Sequence, residues 1–96
     1  MTIHLNAADL AALGRVRDHP RMREIIADVA RRTGLTVADI KGRDRTARVV
    51  LARDLACFIG FERGITLAQM GRALNRDHST IASAVARERK RREEAQ

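Results

Sequence analysis

Four short polar side chains follow one another at the start of a predicted helix: Asp77, His78, Ser79 and Thr80. Asp, His and Ser are the residue types of a hydrolase triad, but consecutive helical residues project about 100° apart and cannot form the required proton relay. We therefore expect no catalytic residues and no enzymatic activity. Their donors and acceptors suit the edges of nucleic-acid bases instead. The alternative is that Asp77, Ser79 and Thr80 only cap a surface helix.

The chain around these residues predicts a helix-turn-helix. Thr66, with Gln69 three positions later, fits a capping box that begins the first helix. Gly71 leaves a position without a side chain, where we expect another helix to approach closely. Asn75 tolerates left-handed backbone geometry, and Asp77 supplies an N-cap carboxylate to the second helix. The turn is therefore predicted to be short, and the second helix is the candidate for insertion into a major groove.

Two stripes of side chains run along the second helix. Ile81 and Val85, four residues apart, are predicted to face the core. A neighbouring stripe is predicted to face a groove, with small or polar residues first and arginines for phosphates last. Its members are Thr80, Ala84, Arg87 and Arg91.

The charge of the chain points to a polyanionic partner. The formal net charge is +7 on 96 residues, and basic residues concentrate in two places. One is the run from Arg87 to Arg92, and the other is a connection over residues 41–48, called the basic loop below. Its arginines are predicted to enter a minor groove or hold phosphates, unless they form only a solvated surface. They are Arg43, Arg45 and Arg48.

Composition excludes several classes of protein. No run approaches the roughly 18 apolar residues of a membrane span, and the first residues do not resemble a signal peptide. We expect a cytoplasmic, nucleoid-associated protein with no membrane partner. The single cysteine, Cys57, lies in an apolar run and is predicted to be buried. We expect no disulfide, metal ion or cofactor.

Helical spacing of the apolar residues predicts an all-α fold with two parts. Residues 1–19 are predicted to form an N-terminal extension with a short helix over 6–13, and residues 20–96 a small helical domain. Within that domain, one helix is predicted to end at Gly34, and Thr36 with Asp39 caps a short one that stops at Gly42.

A long helix is predicted to follow from about Thr46 to Phe61, with Gly64 marking its end. Its apolar residues are spaced as on a helix that packs against a core. We expect the chain to bury Val49, Leu55, Phe58 and Ile59.

The run from Arg76 to Ile81, preceded by Met70 and Gly71, closely resembles the signature of the C-terminal DNA-binding domain of the bacterial replication initiator DnaA. The resemblance covers roughly Arg21 to Arg91. It implies a helix-turn-helix fold of the Trp-repressor-like type and double-stranded DNA as the partner.

The resemblance also implies roles for individual residues. Arg45 corresponds to a loop arginine that enters the minor groove, and Arg53 to one that contacts DNA near the start of the long helix. The major-groove positions correspond to Asp77, His78, Ser79, Thr80 and Ala84.

Two departures from the family pattern bear on function. Asp54 stands where the family usually has glutamine. No cation lies three or four residues away, so we expect Asp54 to be solvated, paired from elsewhere or facing DNA, and we hypothesise that it shifts site choice by accepting from a cytosine amine. The 96 residues also contain no Gly-x-x-x-x-Gly-Lys-Ser/Thr loop, so we expect no ATP-dependent switching.

The sequence leads to three functional hypotheses. The first is a sequence-specific transcription regulator, such as an activator in a prophage-like or gene-transfer-agent system. The second is a replication factor that binds origin boxes, as an initiator domain or as a competitor. The third is an interaction module whose N-terminal helix recruits RNA polymerase or a co-activator.

Overall fold

The computed structural model describes residues 21–95, which form five helices and no strand. The all-helical prediction is therefore confirmed for this part of the chain, whereas the helix predicted over 6–13 lies outside it. None of the described helices is both long and apolar enough to cross a membrane. The helices are α1 (Met22–Thr33), α2 (Val37–Lys41), α3 (Ala47–Glu62), α4 (Leu67–Leu74) and α5 (His78–Glu94).

The ends of α1 and α2 follow the predicted local signals. Gly34 closes α1 in the left-handed region at φ 72°, and its amide donates to the carbonyl oxygen of Ala30. The Thr36 hydroxyl accepts from the Asp39 amide at 3.0 Å, and the Asp39 carboxylate accepts from the Thr36 amide at 2.9 Å. This reciprocal capping box begins α2, which ends at Lys41 before Gly42.

The long helix α3 agrees with its predicted bounds to within one residue and crosses the centre of the domain. Val49 is buried as predicted, but Leu55, Phe58 and Ile59 are only partly buried and pack against the edge of the core. The reason is that smaller residues of α3 occupy the closest contacts with its neighbours. These residues are Ala52, Ala56, Cys57 and Gly60.

The core lies between α3 and the helices packed around it. The largest apolar side chains with almost no exposure are Ile26, Val29, Ile40, Met70, Leu74 and Ile81. Cys57 joins them with no exposed surface, as predicted, and burial raises the pKa of its thiol to about 12. The most extensive helix–helix contact in the described residues is that of α3 with α5.

Helices α4 and α5 form the predicted helix-turn-helix. Thr66 and Gln69 make the capping box that begins α4. Asn75 closes α4 with φ 55° in the left-handed region, and the Asp77 carboxylate caps α5 by accepting from the Thr80 amide at 2.8 Å. Only Asn75, Arg76 and Asp77 separate the two helices, so the turn is as short as predicted.

Gly71 allows a close approach, but the expected partner was wrong. A side chain at Gly71 would meet the carbonyl oxygen of Arg76 in the turn and not another helix. The Arg76 amide donates to the Gly71 carbonyl oxygen at 2.8 Å, which draws the turn back over α4. The absence of a β-carbon at residue 71 therefore permits this tight turn.

Candidate nucleic-acid interface

A groove lies between the basic loop and the first two turns of α5. Basic side chains of the loop, of α3 and of the helix-turn-helix line it: Lys41, Arg43, Arg45, Arg53, Arg76 and Arg87. The one acidic side chain in its lining is Asp54, whose charge is compensated by arginines. The groove thus presents a strongly positive surface beside the start of α5.

The first turn of α5 borders this groove through Thr80 and Ile81, and its polar side chains are exposed. The Asp77 carboxylate accepts from the Ser79 hydroxyl at 2.6 Å and from the Thr80 amide at 2.8 Å. These hydrogen bonds, that of Ser79 first, lower the pKa of Asp77 to about 2. Asp77, Ser79 and Thr80 therefore hold the helix terminus, while the side chain of His78 makes no hydrogen bond within the described residues.

The basic loop presents two arginines to solvent. Arg43 and Arg45 are exposed and form no ion pair with any described residue. Arg48, at the start of α3, donates to the carbonyl oxygen of Thr33 and so ties the end of the loop to α1. Its position restrains the loop, although its side chain stays exposed.

Arg53 lies near the start of the long helix, as the resemblance implied, but its side chain is mostly buried. It is in the second turn of α3 and lines the positive groove, but only 8% of its surface is exposed, so its contact with DNA stays a prediction. Its guanidinium donates to the carbonyl oxygen of Ile40 at 2.7 Å and to those of Gly42 and Asp44 at 3.1 Å. Burial, followed by the nearby charge of Arg76, lowers its pKa. Arg53 holds the basic loop from beneath.

Arg76 is a second arginine that holds the loop, and its role was missed in the sequence. It lies in the turn before α5 and donates to the carbonyl oxygen of Leu74 at 2.8 Å and of Lys41 at 3.2 Å. It also donates to the carbonyl oxygen of Gly42, which Arg53 shares. The family signature contains Arg76, but no local spacing links it to a loop 34 positions earlier.

Asp54 is paired from another helix and does not face DNA, so the hypothesis of a direct cytosine contact is wrong. The residue has no exposed surface. Arg87 donates to its two carboxylate oxygens through Nε and Nη2, both at 3.0 Å, and Arg91 donates through Nη2 at 2.8 Å. The sequence correctly indicated that no cation on its own helix would pair with it.

Ala84 also differs from its predicted position. It is 3% exposed and belongs to the core with Ile81 and Val85, so its methyl group offers almost no surface to a groove. The cause is the close packing of α5 on α3, which buries a wider strip of α5 than the stripe of Ile81 and Val85 alone. Farther along α5, the Arg87 side chain stays 50% exposed and that of Arg91 35% exposed.

Residues 22–87 match the family model described as the bacterial DnaA protein helix-turn-helix. Among curated proteins, the chain is similar to the chromosomal replication initiator protein DnaA of Streptococcus pyogenes serotype M5 (strain Manfredo) and of serotype M1. Each is 38% identical over 90 residues, which cover 86% of this chain and 20% of the relative. The chain thus spans about a fifth of the length of these relatives. No solved structure gives a significant match.

Proposed function

The chain belongs to the bacterial DnaA helix-turn-helix family, and from that premise we propose that it binds double-stranded DNA in a sequence-specific way. The observation that carries the proposal is the shared position of the exposed first turn of α5 and the positive groove beside it. A helix terminus rich in polar side chains reads base edges, and the surrounding cations hold phosphates.

In the proposed complex, α5 enters the major groove by its N-terminal turn. In this proposal His78 and Thr80 contact base edges, because both side chains are exposed at the start of α5. Asp77 and Ser79 lie beside them but serve first to hold the helix start. Sequence discrimination therefore depends most on His78 and Thr80.

The basic loop contacts the adjacent minor groove in this proposal. Arg43 and Arg45 extend from the loop, and the hydrogen bonds of Arg53 and Arg76 hold its backbone. Arginines inserted into a narrow minor groove are stabilised by its negative potential. In this proposal Lys41 and Arg87, which line the groove, and the exposed Arg48 neutralise phosphates on either side.

The similar relatives are chromosomal replication initiator proteins, which favours origin-type boxes as the target of this chain. Transcription regulation, the first hypothesis from the sequence, predicts occupancy of promoters instead. RNA polymerase or a co-activator as a protein partner also stays a prediction, as does nucleoid association. A pull-down that compares the full chain with a deletion of residues 1–19 tests the protein partner.

Selection from a pool of randomised duplexes tests the proposed activity directly. We expect enrichment of a short motif, bound more tightly than random duplex by about a thousandfold or more. Chromatin immunoprecipitation with sequencing then separates the two roles, because origin clusters indicate replication and promoters indicate transcription. Failure to enrich any motif, with no binding to duplex at low salt, contradicts the proposed function.

A further inference from the structure

Asp54 and Arg87 form a geometrically constrained pair between α3 and α5. The Arg87 guanidinium uses its Nε and Nη2 atoms on the two oxygens of one fully buried carboxylate, both at 3.0 Å. A bidentate pair of this kind fixes the plane of the guanidinium. It occupies one edge of the group and leaves the Nη1 edge for another acceptor.

The exposure of Arg87 shows where that second edge is accessible. Arg87 lines the positive groove, and half of its side-chain surface is exposed although its partner carboxylate is buried. One end of the interaction thus lies inside the domain, while the other reaches the surface proposed to face DNA.

Arg91 has a different role in the same cluster. It donates to Asp54 through Nη2 and to Glu88 through Nη1 at 3.1 Å, so both of its terminal nitrogens are engaged. A second cation beside Asp54 helps to compensate the charge of this buried carboxylate. Arg91 therefore stabilises the carboxylate, and Arg87 remains the arginine with an unused edge.

We propose that Asp54 is a positioning residue that holds the Arg87 guanidinium with its Nη1 edge toward a DNA phosphate. The proposal rests on the proposed DNA binding. An arginine held in place loses less side-chain freedom when it binds than an unrestrained one. Asp54 therefore strengthens DNA binding although its own charge has the same sign as that of DNA.

The sign of the effect of Asp54→Asn tests this proposal. The substitution raises the formal net charge from +7 to +8, and charge alone would tighten binding to a polyanion. If Asp54 positions Arg87, binding instead weakens by about threefold to tenfold. A phosphate contact carries no sequence information, so the loss should be equal on random duplex and on the selected motif. The slope of log affinity against log salt should fall by about 1.

A double-mutant cycle separates positioning from general destabilisation. In an Arg87→Ala background, Asp54→Asn should cause no further loss of affinity, because the positioned group is absent. The matched control is Arg89→Ala, on the opposite flank of α5, where the guanidinium lies 5.6 Å from the centre of the Phe61 ring. In that background, Asp54→Asn should keep its full effect.

Arg87→Lys gives a second test that should disturb the fold less than Asp54→Asn. It leaves the buried carboxylate in place and changes a side chain that is half exposed. Lysine keeps the charge but lacks the planar fork, so we expect a loss similar to that of Asp54→Asn. Circular dichroism melts identify a temperature at which each variant is folded. If Asp54→Asn does not fold, Arg87→Lys decides the proposal.

The outcomes distinguish this inference from the function on which it rests. A wild-type chain that binds no duplex contradicts the proposed function itself. A wild-type chain that binds, with folded Asp54→Asn binding equally or more tightly, overturns the positioning role and leaves DNA binding intact. Arg87→Lys with wild-type affinity, or an undiminished effect of Asp54→Asn in the Arg87→Ala background, also overturns it.

Discussion

The guanidinium of Arg76 donates a hydrogen bond to the carbonyl oxygen of Gly42 and so joins the turn of the helix-turn-helix to the basic loop. Arg53, from α3, donates to the same oxygen at 3.1 Å. Two arginines from different elements therefore set the position of the loop relative to the start of α5. If the loop and α5 enter neighbouring DNA grooves, these hydrogen bonds fix the distance between the two contacts.

Arg76→Lys should weaken both the fold and DNA binding. Lysine has one ammonium group and cannot reach the three carbonyl oxygens that Arg76 contacts. We expect the free energy of unfolding to fall by about 1–2 kcal/mol, as measured by urea denaturation. Arg72→Lys, at an exposed position of α4, is the matched control and should change it little. Equal stability of Arg76→Lys and wild type would show that the contacts to the loop are not stabilising.

Binding to duplex DNA should depend strongly on salt. If about five phosphates are neutralised, log affinity should fall with log salt at a slope of roughly −4 to −5. Fluorescence anisotropy titrations measure this slope. Arg45→Ala should reduce its magnitude by about 1, whereas Arg89→Ala should change it less because Arg89 does not line the groove. A flat response to salt would contradict a phosphate-binding surface.

His78→Ala and Thr80→Ala should reduce discrimination between DNA sequences. Each should weaken binding to the selected motif by roughly 1 to 3 kcal/mol and leave random duplex almost unchanged, because base contacts carry specificity. Competition assays with both duplexes measure the difference. Arg43→Ala is the contrasting variant, expected to weaken the two duplexes more evenly. Full discrimination by the His78 and Thr80 variants would refute the assignment of α5 as the recognition helix.

Gly71→Ala should destabilise the protein although alanine normally favours a helix by about 1 kcal/mol over glycine. The added methyl group would meet the backbone carbonyl of Arg76, which is held in the turn. We expect a net loss of about 1–3 kcal/mol in chemical denaturation. Gly60→Ala is the comparison: its methyl group would meet the thioethers of Met70 and Met22, which are flexible and can move. A larger loss for Gly60→Ala than for Gly71→Ala would contradict this explanation.

The cap of α5 should give the protein a specific dependence on acid. The hydrogen bonds of Ser79 and Thr80 lower the pKa of Asp77 from 3.8 to about 2 in the folded chain. A lowered pKa means that the contribution of Asp77 to stability is complete above about pH 4 and is lost as the pH falls toward 2. Asp77→Asn keeps an acceptor but does not titrate. Denaturation from about pH 5 to 2 should therefore show the two proteins converging, and parallel curves would refute this role.

Local rules predicted the ends of the helices because the groups that form them lie close in sequence. The capping boxes of Thr36 with Asp39 and of Thr66 with Gln69 span three residues each. The left-handed positions at Gly34 and Asn75 follow from residue type. These signals, with helical spacing, were sufficient for the five described helices and for the exposed start of α5.

The same rules failed where partners come from other helices. Asp54 meets Arg87 and Arg91 across 33 and 37 positions, and Arg53 reaches carbonyl groups of α2 and of the basic loop 9 to 14 positions earlier. Spacing within one helix does not reveal such contacts. Spacing predicted that Ala84 belongs to the groove stripe, but the packing of α5 on α3 buries it in the core.

The burial of Cys57 makes the rate of thiol labelling a measure of how often the core opens. It is the chain's single thiol, it has no exposed surface, and burial followed by the Asp54 carboxylate raises its pKa to about 12. Alkylating reagents attack the thiolate, so they find almost no reactive form until the core opens. The rate at which an alkylating reagent labels the native chain thus reports opening without any added probe. Bound DNA that restrains α5 against α3 would slow the labelling of Cys57.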